Sequence, residues 1–332
     1  MSALPTPKSR ILGTGHYVPE RVLANVDLEK MVDTSDAWIA ERTGIRRRHV
    51  AAEGENTSDM AAAAARRALE SAGLNAADID MIIVGTISGD SPMPACAVHV
   101  QQKLGADNIP AFDVSAACAG FIYGMTIADQ FIATGAARCV LVVGVELLSR
   151  LLDWQDRTTC VLFGDGAGAV VLGPAEGDGR GLLATRIFTD GSLAHALTIP
   201  GGGTAEPLTD EGLAKKRNKV HMMGQEIFRT AIKNLTSAST AVLKASGLTS
   251  ADLDWVVAHQ ANLRIITQVA DRLNFPMEKF VINIQEYGNT SSASIPIALD
   301  EAVRDGRIKT GQNVLMCALG AGISWGAALV RM

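Results

Sequence analysis

The sequence predicts an α/β protein built from two duplicated βαβ-type halves, and three observations carry that prediction. Short β-branched runs alternate with Ala-rich amphipathic stretches along the chain, a polar glycine-rich segment falls near the middle, and stretches of the first half recur in order in the second. Strands spaced by helical segments imply substantially parallel sheets covered on both faces.

The strand candidates are MIIVGT (81–86), CVLVVG (139–144), GAVVLG (168–173), WVVAHQ (255–260), FVINI (280–284) and VLMCAL (314–319). A helix is expected over 58–72, Ala/Arg/Leu-rich after a Thr57-Ser58 start and stopped by Gly73. Another places Leu263, Ile266, Ala270 and Leu273 on one face. AFDVSAACAGFIYG (111–124) is matched by FVINIQEYGNTSSASIPIAL (280–299), IATGAARCVLVVG (132–144) by VRDGRIKTGQNVLMCAL (303–319), and FGDGAGAVVLG (163–173) by GAGISWGAALV (320–330). Single matches of this kind say little, but three in one order argue for duplication. AEGDGRG (175–181) sets the boundary near 175–185, giving halves 1–180 and 181–332. The loop-rich stretch 200–219 reads as a surface excursion that can cover a substrate channel.

A chain of 332 residues, 48% of them hydrophobic, can bury a large core without staples. The cysteines at 96, 118, 139, 160 and 317 are odd in number, widely spaced and outside any C-x-x-C or Cys/His pattern, so neither a disulfide framework nor a metal site is indicated. A reducing compartment follows. The opening residues are too polar for a signal-peptide core and the apolar stretch 314–330 is interrupted by Gly320, Gly322 and Gly326, so a cytoplasmic protein without a membrane span is expected. Net charge −5 and pI near 5.7 argue against generic nucleic-acid binding. The basic runs Arg46-Arg47-Arg48 and Lys215-Lys216-Arg217-Asn218-Lys219, and the group Arg304, Arg307 and Lys309, read by themselves as solvated faces.

Three residues carry the chemistry. Cys118, in Ser115-Ala116-Ala117-Cys118-Ala119-Gly120, follows a strand and precedes a helix; unpaired N–H groups at a helix start favour thiolate, the form that attacks thioesters. Its small neighbours leave room for an acyl-thioester. His259 closes WVVAH at a strand carboxyl end, where open α/β sheets place their sites. Asn289, in Tyr287-Gly288-Asn289-Thr290-Ser291-Ser292, takes by the internal alignment the place that Cys118 holds in the first half, so the two would face each other across a pseudo-two-fold axis. Taken alone each has a plainer reading: a buried structural cysteine, a core histidine, an asparagine chosen as a cap or for a left-handed turn. Gly164-x-Gly166-x-Gly168 lacks the dinucleotide fingerprint spacing and reads as close packing.

Together these residues resemble β-ketoacyl-acyl-carrier-protein synthase III, the initiating condensing enzymes of type II fatty acid synthesis in the thiolase superfamily. The likeness runs over essentially the whole chain. It rests on Thr34-Ser35-Asp36-Ala37-Trp38, Glu41-Arg42-Thr43-Gly44-Ile45-Arg46, Ala116-Ala117-Cys118-Ala119-Gly120, Phe163-Gly164-Asp165-Gly166-Ala167-Gly168, His259-Gln260-Ala261-Asn262-Leu263-Arg264 and Gly288-Asn289-Thr290-Ser291. The resemblance implies a thiolase-like fold with a layered α-β-α-β-α core and a Cys118–His259–Asn289 triad; chain-elongating relatives carry a second histidine in place of the asparagine. The implied acyltransferase moves the acyl group of an acyl-CoA to Cys118, then condenses it with malonyl-acyl-carrier protein after decarboxylation. His259 helps deprotonate the thiol, and His259 with Asn289 holds the enolate oxygen. Backbone N–H groups of Cys118 and Ala321 would hold the later oxyanion, although Gly320-Ala321-Gly322 departs from the family's three glycines.

The resemblance further places the CoA adenine between Trp38 and Arg157, its nucleotide end on Thr34 and Arg42, and its pantetheine arm on Asn262. It gives carrier-protein docking to Arg264 and the acyl pocket to Phe163 and to Met93, the last reaching across a homodimer interface. Flexible Met93 suits a primer longer than acetyl. Coenzyme A thioester enters as substrate, with no permanently bound cofactor or metal. The alternatives are a secondary-metabolism synthase with another acceptor, a non-catalytic partner subunit, and a papain-like hydrolase, whose local cysteine signature is missing.

Overall fold

The computed structural model describes residues 6–332. The first part of the chain runs β1 (Ser9–Tyr17), β2 (Val22–Ala24), α1 (Asn25–Leu28), α2 (Asp36–Thr43), β3 (Arg47–His49), α3 (Thr57–Ala72), β4 (Met81–Gly85), α4 (Cys96–Leu104), β5 (Ala111–Val114), α5 (Gly120–Ala133), β6 (Val140–Glu146) and β7 (Gly166–Pro174). The second runs β8 (Gly181–Thr189), β9 (Leu197–Thr198), α6 (Asp210–Ala214), β10 (His221–Met222), α7 (Gly224–Ser246), β11 (Trp255–Ala258), α8 (Leu263–Leu273), α9 (Ile284–Tyr287), α10 (Ser294–Arg304), β12 (Asn313–Gly320) and β13 (Ser324–Arg331).

Two mixed sheets result. The first has the order β1-β7-β6-β4-β5, with β5, β4 and β6 mutually parallel and β7 antiparallel to both neighbours. The second has the order β8-β13-β12-β11, and Phe280 bridges Val256 in parallel on the far side of β11. The neighbour order is the same in both, which is the duplication read from the sequence. The expected strand at 280–284 shrinks to that bridge because the Gln260 side chain claims the backbone beyond it. Its Nε2 donates to the Val281 carbonyl (3.1 Å), and its Oε1 accepts from the N–H groups of Asn283 (3.1 Å) and Ile284 (3.2 Å).

Helices α5 and α10 lie between the sheets. Phe121, Ile122 and Met125 of α5 and Ile295, Ala298 and Leu299 of α10 pack with Ile83, Val142 and Val170 on one side and Val257, Met316 and Ala328 on the other. Helices α3 and α4 cover the outer face of the first sheet and α7 and α8 that of the second, which completes the α-β-α-β-α layering. Fully burying one such aliphatic side chain contributes about 1.5–3 kcal/mol, so the three cores account for the long apolar strand blocks. Helix α3 starts one residue before the expected Ser58: the Asn56 N–H donates to Asp59 Oδ2 (2.9 Å), and Gly73 closes the helix at φ +68°.

Not every basic run lies on a solvated face. Arg48 is 0% exposed, because three oxygens surround its guanidinium: the Leu23 carbonyl (3.2 Å), Asn25 Oδ1 (3.0 Å) and the Val161 carbonyl (2.8 Å). Burial lowers its pKa to about 10. Arg46 and Arg47 remain exposed as expected. Gly168 packs against α10, where an added Cβ would lie 2.7 Å from the Ile297 nitrogen, so this glycine serves close packing.

Candidate active site

Cys118 sits in a short 3-10 turn, Ala117–Ala119, that carries the chain from the end of β5 into α5. Ala117 adopts φ +46°, a left-handed conformation costly for alanine, and so turns the next side chain sharply out of the helix path. The second half repeats the device: Ser291 has φ +50° in the turn Ser291–Ala293 that leads into α10. The matching turns correct the internal register read from the sequence. Ser292, not Asn289, stands where Cys118 stands in the first half, and Asn289 corresponds to Ser115. The register is set by the left-handed residue that joins strand to helix, whereas the sequence alignment follows the chemical groups.

Cys118 lies where two cavities meet. The larger, about 470 Å3, is largely apolar and is lined by Ile87, Leu148, Phe163, Ile199, Val220 and Ser291. The smaller, about 160 Å3, holds His259, Asn289 and Asn262 with Phe228, Ile265 and Gly320. Cys118 and Phe163 line both. The hairpin of β9 and β10 supplies a wall to each through Leu197 and Met222, and 200–219 is the excursion at its tip. Cys118, His259 and Asn289, from distant parts of the chain, thus share one cavity.

Each polar group has a definite attachment. Asn289 is locked to the Phe163 segment, its N–H donating to the Leu162 carbonyl (2.8 Å) and its carbonyl accepting from the Gly164 N–H (3.0 Å). Its side-chain Oδ1 accepts from the Ser291 N–H (2.8 Å), which leaves the Nδ2 hydrogens as the free donors. The His259 N–H donates to the Cys317 carbonyl (2.8 Å), while Nδ1 of its 3%-exposed ring is buried without a partner. Burial pushes the imidazole down to about 3, so the ring is neutral.

The electrostatics of the sulfur differ from the sequence expectation. Burial pushes the Cys118 thiol up to about 12; a hydrogen bond with the Ser291 hydroxyl works against this, and the Glu146 carboxylate adds to it. A helix start contributes about 0.3–1 kcal/mol in favour of thiolate, and complete burial outweighs it. Burial thus favours the thiol over the thiolate, in the cavity that also holds His259.

Sequence reasoning missed two groups here. Glu146 ends β6, is wholly buried, and accepts hydrogen bonds from Ser88 Oγ (2.5 Å), Thr86 Oγ1 (3.2 Å), the Ile87 N–H (3.2 Å) and Ser291 Oγ (3.2 Å). Burial pushes its pKa up to about 7. The available signal was a lone acid closing the apolar run CVLVVGVE. Ser291 was visible only as part of a motif.

The turn after β12 abuts Cys118. A Cβ on Gly320 would come 2.5 Å from the Cys118 nitrogen and 2.8 Å from the Ala116 carbonyl, and Ala321 lines the larger cavity. Backbone amides of 320–322 and of Cys118 are therefore adjacent. Trp38, Arg42 and Arg157 also converge: the two guanidinium carbons lie 4.9 Å and 5.3 Å from the indole ring centroid. Arg157 also donates to the Asp33 carbonyl (2.8 Å), and Thr34 Oγ1 is buried without a partner. Asn262 caps α8 by accepting from the Arg264 N–H (2.9 Å) and donates from Nδ2 to the Arg42 carbonyl (3.1 Å), so it joins α2 to the cavity wall. Arg264 is exposed on the first turn of α8, over Phe228.

Met93 is the expected pocket residue that the chain does not bring to Cys118: it is 85% exposed and lines neither cavity. Among the described residues no group of three or more His, Cys, Asp or Glu is placed to hold a metal, and no helix is long and apolar enough to cross a membrane.

Known proteins resemble this chain in sequence and fold. The family described as 3-oxoacyl-[acyl-carrier-protein] synthase III matches residues 112–191, and its C-terminal domain matches 243–332. The β-ketoacyl-[acyl-carrier-protein] synthase III of Paramagnetospirillum magneticum is 50% identical over 329 residues, 98% of this chain and 99% of that one. That of Rhodospirillum centenum is 51% identical over 327 residues, again 98% and 99%. The crystal structure of 3-oxoacyl-[acyl-carrier-protein] synthase III from Aquifex aeolicus superposes with a TM-score of 0.90 at 47% identity, covering 98% of this chain and 100% of that one. With half the residues identical along nearly its whole length and the same layered fold, the chain belongs to the 3-oxoacyl-[acyl-carrier-protein] synthase III family.

Proposed function

We infer that this chain runs the initiating condensation of an acyl-CoA primer with malonyl-acyl-carrier protein, holding the acyl group on Cys118 between two half-reactions. The chain is an acyltransferase of this condensing class. The observation that carries the residue-level reading is that Cys118 lines both cavities, with His259 and Asn289 in the smaller one. The thioester arm lies in the small cavity and the acyl group in the large one. Sulfur attack forms the new C–S bond and expels CoA, splitting a three-component reaction into two steps.

In the second step loss of CO2 leaves an enolate, and a neutral imidazole with a carboxamide offers N–H donors to an oxygen that becomes negative only as the reaction proceeds. Carbon attack on the Cys118 thioester then builds an oxyanion held by the N–H groups of Cys118 and Ala321. An acceptor other than a malonyl thioester is not favoured, since the 50–51% identical relatives above are all named for this condensation.

The adenine of CoA enters between Trp38 and Arg157, with Thr34 Oγ1 and Arg42 at the nucleotide end and Asn262 on the arm. Two stacking layers need about 7 Å, so Arg157 must swing away from its 5.3 Å position and release Asp33. Exposed Arg264 receives the acidic carrier protein. The protein is a cytoplasmic homodimer: β5 is an edge strand with its residues half-buried, and exposed Ile87 and Met93 beside it give a second copy an apolar face to cover. Pairing there carries Met93 to the partner's larger cavity, where a flexible side chain suits primers beyond acetyl.

Intact-protein mass spectrometry after mixing with acetyl-, butyryl-, isobutyryl- and octanoyl-CoA tests this. Acyl adducts that vanish in Cys118→Ala, with CO2 release from malonyl-acyl-carrier protein dependent on acyl-CoA, are expected. A wild-type protein that takes no acyl group would return the chain to a binding or scaffold role. Strict acetyl preference would refute the longer primer.

A further inference from the structure

The buried Glu146 carboxylate has no part in the chemistry above, yet it lies one hydroxyl away from the reacting sulfur. Ser291 Oγ donates to Glu146 Oε1 (3.2 Å) and lines the larger cavity together with Cys118, where its hydroxyl favours the thiolate. Both ends of this bridge are fixed. Ser291 is held by its left-handed backbone and by its N–H bond to Asn289, while the carboxylate is held by Ser88, Thr86 and the Ile87 N–H.

We propose that Ser291 and Glu146 form a proton path for Cys118, in which Glu146 takes the thiol proton during attack on acyl-CoA and returns it when condensation releases the sulfur. The proposal rests on the acyl-Cys118 reading. In the first half-reaction the S–H bond breaks, its proton passes to Ser291 Oγ, and the Ser291 proton passes to Glu146 Oε1. Sulfur joins the acyl carbon, and CoA leaves as a thiolate that takes a proton from water. In the second, the enolate carbon joins the acyl carbon, the C–S bond breaks, and the Cys118 thiolate recovers its proton from neutral Glu146 through Ser291. Glu146 acts through Ser291 and is a positioning residue that stores the proton; Ser291 shares the larger cavity with the reacting sulfur.

The physical reason is charge conservation in a dry site. Thiolate and carboxylate together would put two uncompensated negative charges in a buried region, which burial penalises strongly. Passing one proton between them means that thiolate and carboxylate are never charged at the same time. His259 is a poor alternative acceptor, since burial holds it neutral and weakly basic. The other titratable group that faces Glu146 is Cys96 at the start of α4, and no cationic side chain pairs with the carboxylate among the described residues. The groups on it from the 86–88 segment and the turn before α10 are neutral donors.

The test is the pH profile of Cys118 acylation by acetyl-CoA, read by quenched intact-protein mass spectrometry between about pH 5 and 9. Wild-type acylation should rise through an ionisation near 7. Glu146→Gln and Ser291→Ala should each lose that limb and slow about 10²-fold, Glu146→Asp should recover part of both, and His259→Ala should keep the limb. Retention of limb and rate within about threefold in Glu146→Gln or Ser291→Ala overturns the path. Loss of the limb in His259→Ala alone overturns it equally. Should Glu146→Gln fail to fold, Ser291→Ala decides, since it leaves the carboxylate and its other donors intact. Wild-type protein that takes no acyl group sinks the acyl-Cys118 reading itself; acylated wild type with unchanged variants sinks only the proton path.

Discussion

Replacing Gly320 by alanine isolates the contact between the 320–322 turn and Cys118. Gly320 has φ −132° and ψ −177°, extended backbone open to any residue, so the substitution carries no conformational strain and its whole effect is steric. The new methyl would lie 2.5 Å from the Cys118 nitrogen, 2.8 Å from the Ala116 oxygen and 3.1 Å from the Ala117 Cβ. Relief demands that turn and sulfur move apart by about 1 Å. The atoms in the way are backbone, held by the left-handed Ala117, and cannot rotate aside. Overpacking of this kind costs about 1–3 kcal/mol of stability, and a displacement of about 1 Å at a reacting centre costs on the order of 10² in rate. Thermal melting and the acylation rate of Cys118 should both fall. Gly191→Ala, where an added Cβ meets nothing within 4 Å, should leave both unchanged. Wild-type melting and an acylation rate within about threefold in Gly320→Ala would show that this turn does not position the sulfur.

Asn289→Asp keeps the acceptor for the Ser291 N–H but removes the Nδ2 donor, so malonyl decarboxylation should fall by about 10²–10³ in a CO2-release assay. Arg157→Ala should raise the KM for acyl-CoA roughly tenfold with little change in kcat, since the guanidinium stacks on Trp38 and lines neither cavity at Cys118; a kcat effect alone would contradict that placement. Asp300 is pushed up by burial, but hydrogen bonds from His16, Arg304 and Thr14 hold its carboxyl below the ordinary range. A depressed folded pKa stabilises the fold above the unfolded value of about 3.9 and is lost as pH falls through the folded one. Asp300→Asn should therefore cost about 2 kcal/mol in urea unfolding at pH 7, and that difference should shrink as the medium is acidified below about pH 4.

The interior of the fold was legible because buried parallel strands are written as unbroken apolar blocks, as in 139–146 and 314–319. The edge strands β1 and β8 were not: they mix glycine, charge and polar residues, since one side of each meets solvent or a neighbouring helix. Duplication could be read from the order of segments, but its register could not, because the left-handed residues Ala117 and Ser291 look like ordinary small residues in a string of letters. Trp38, Arg42 and Arg157, expected together from the resemblance, do converge. The state of Cys118 was misjudged because burial, a property of the assembled core, sets the sign of the shift. Glu146 escaped for the same reason: one acid at a strand end gains meaning only when Ser291 arrives from the other half.

The groups around the sulfur are divided between two separately hydrogen-bonded sheets: Cys118, Glu146 and Phe163 come with the first, and His259, Asn289, Ser291 and Gly320 with the second. No local unit holds a working subset. Mild heat or denaturant that loosens the seam should abolish turnover while each sheet keeps its circular dichroism, so enzymatic assays of this chain are a finer gauge of how its two layers are docked than any spectrum of its strands.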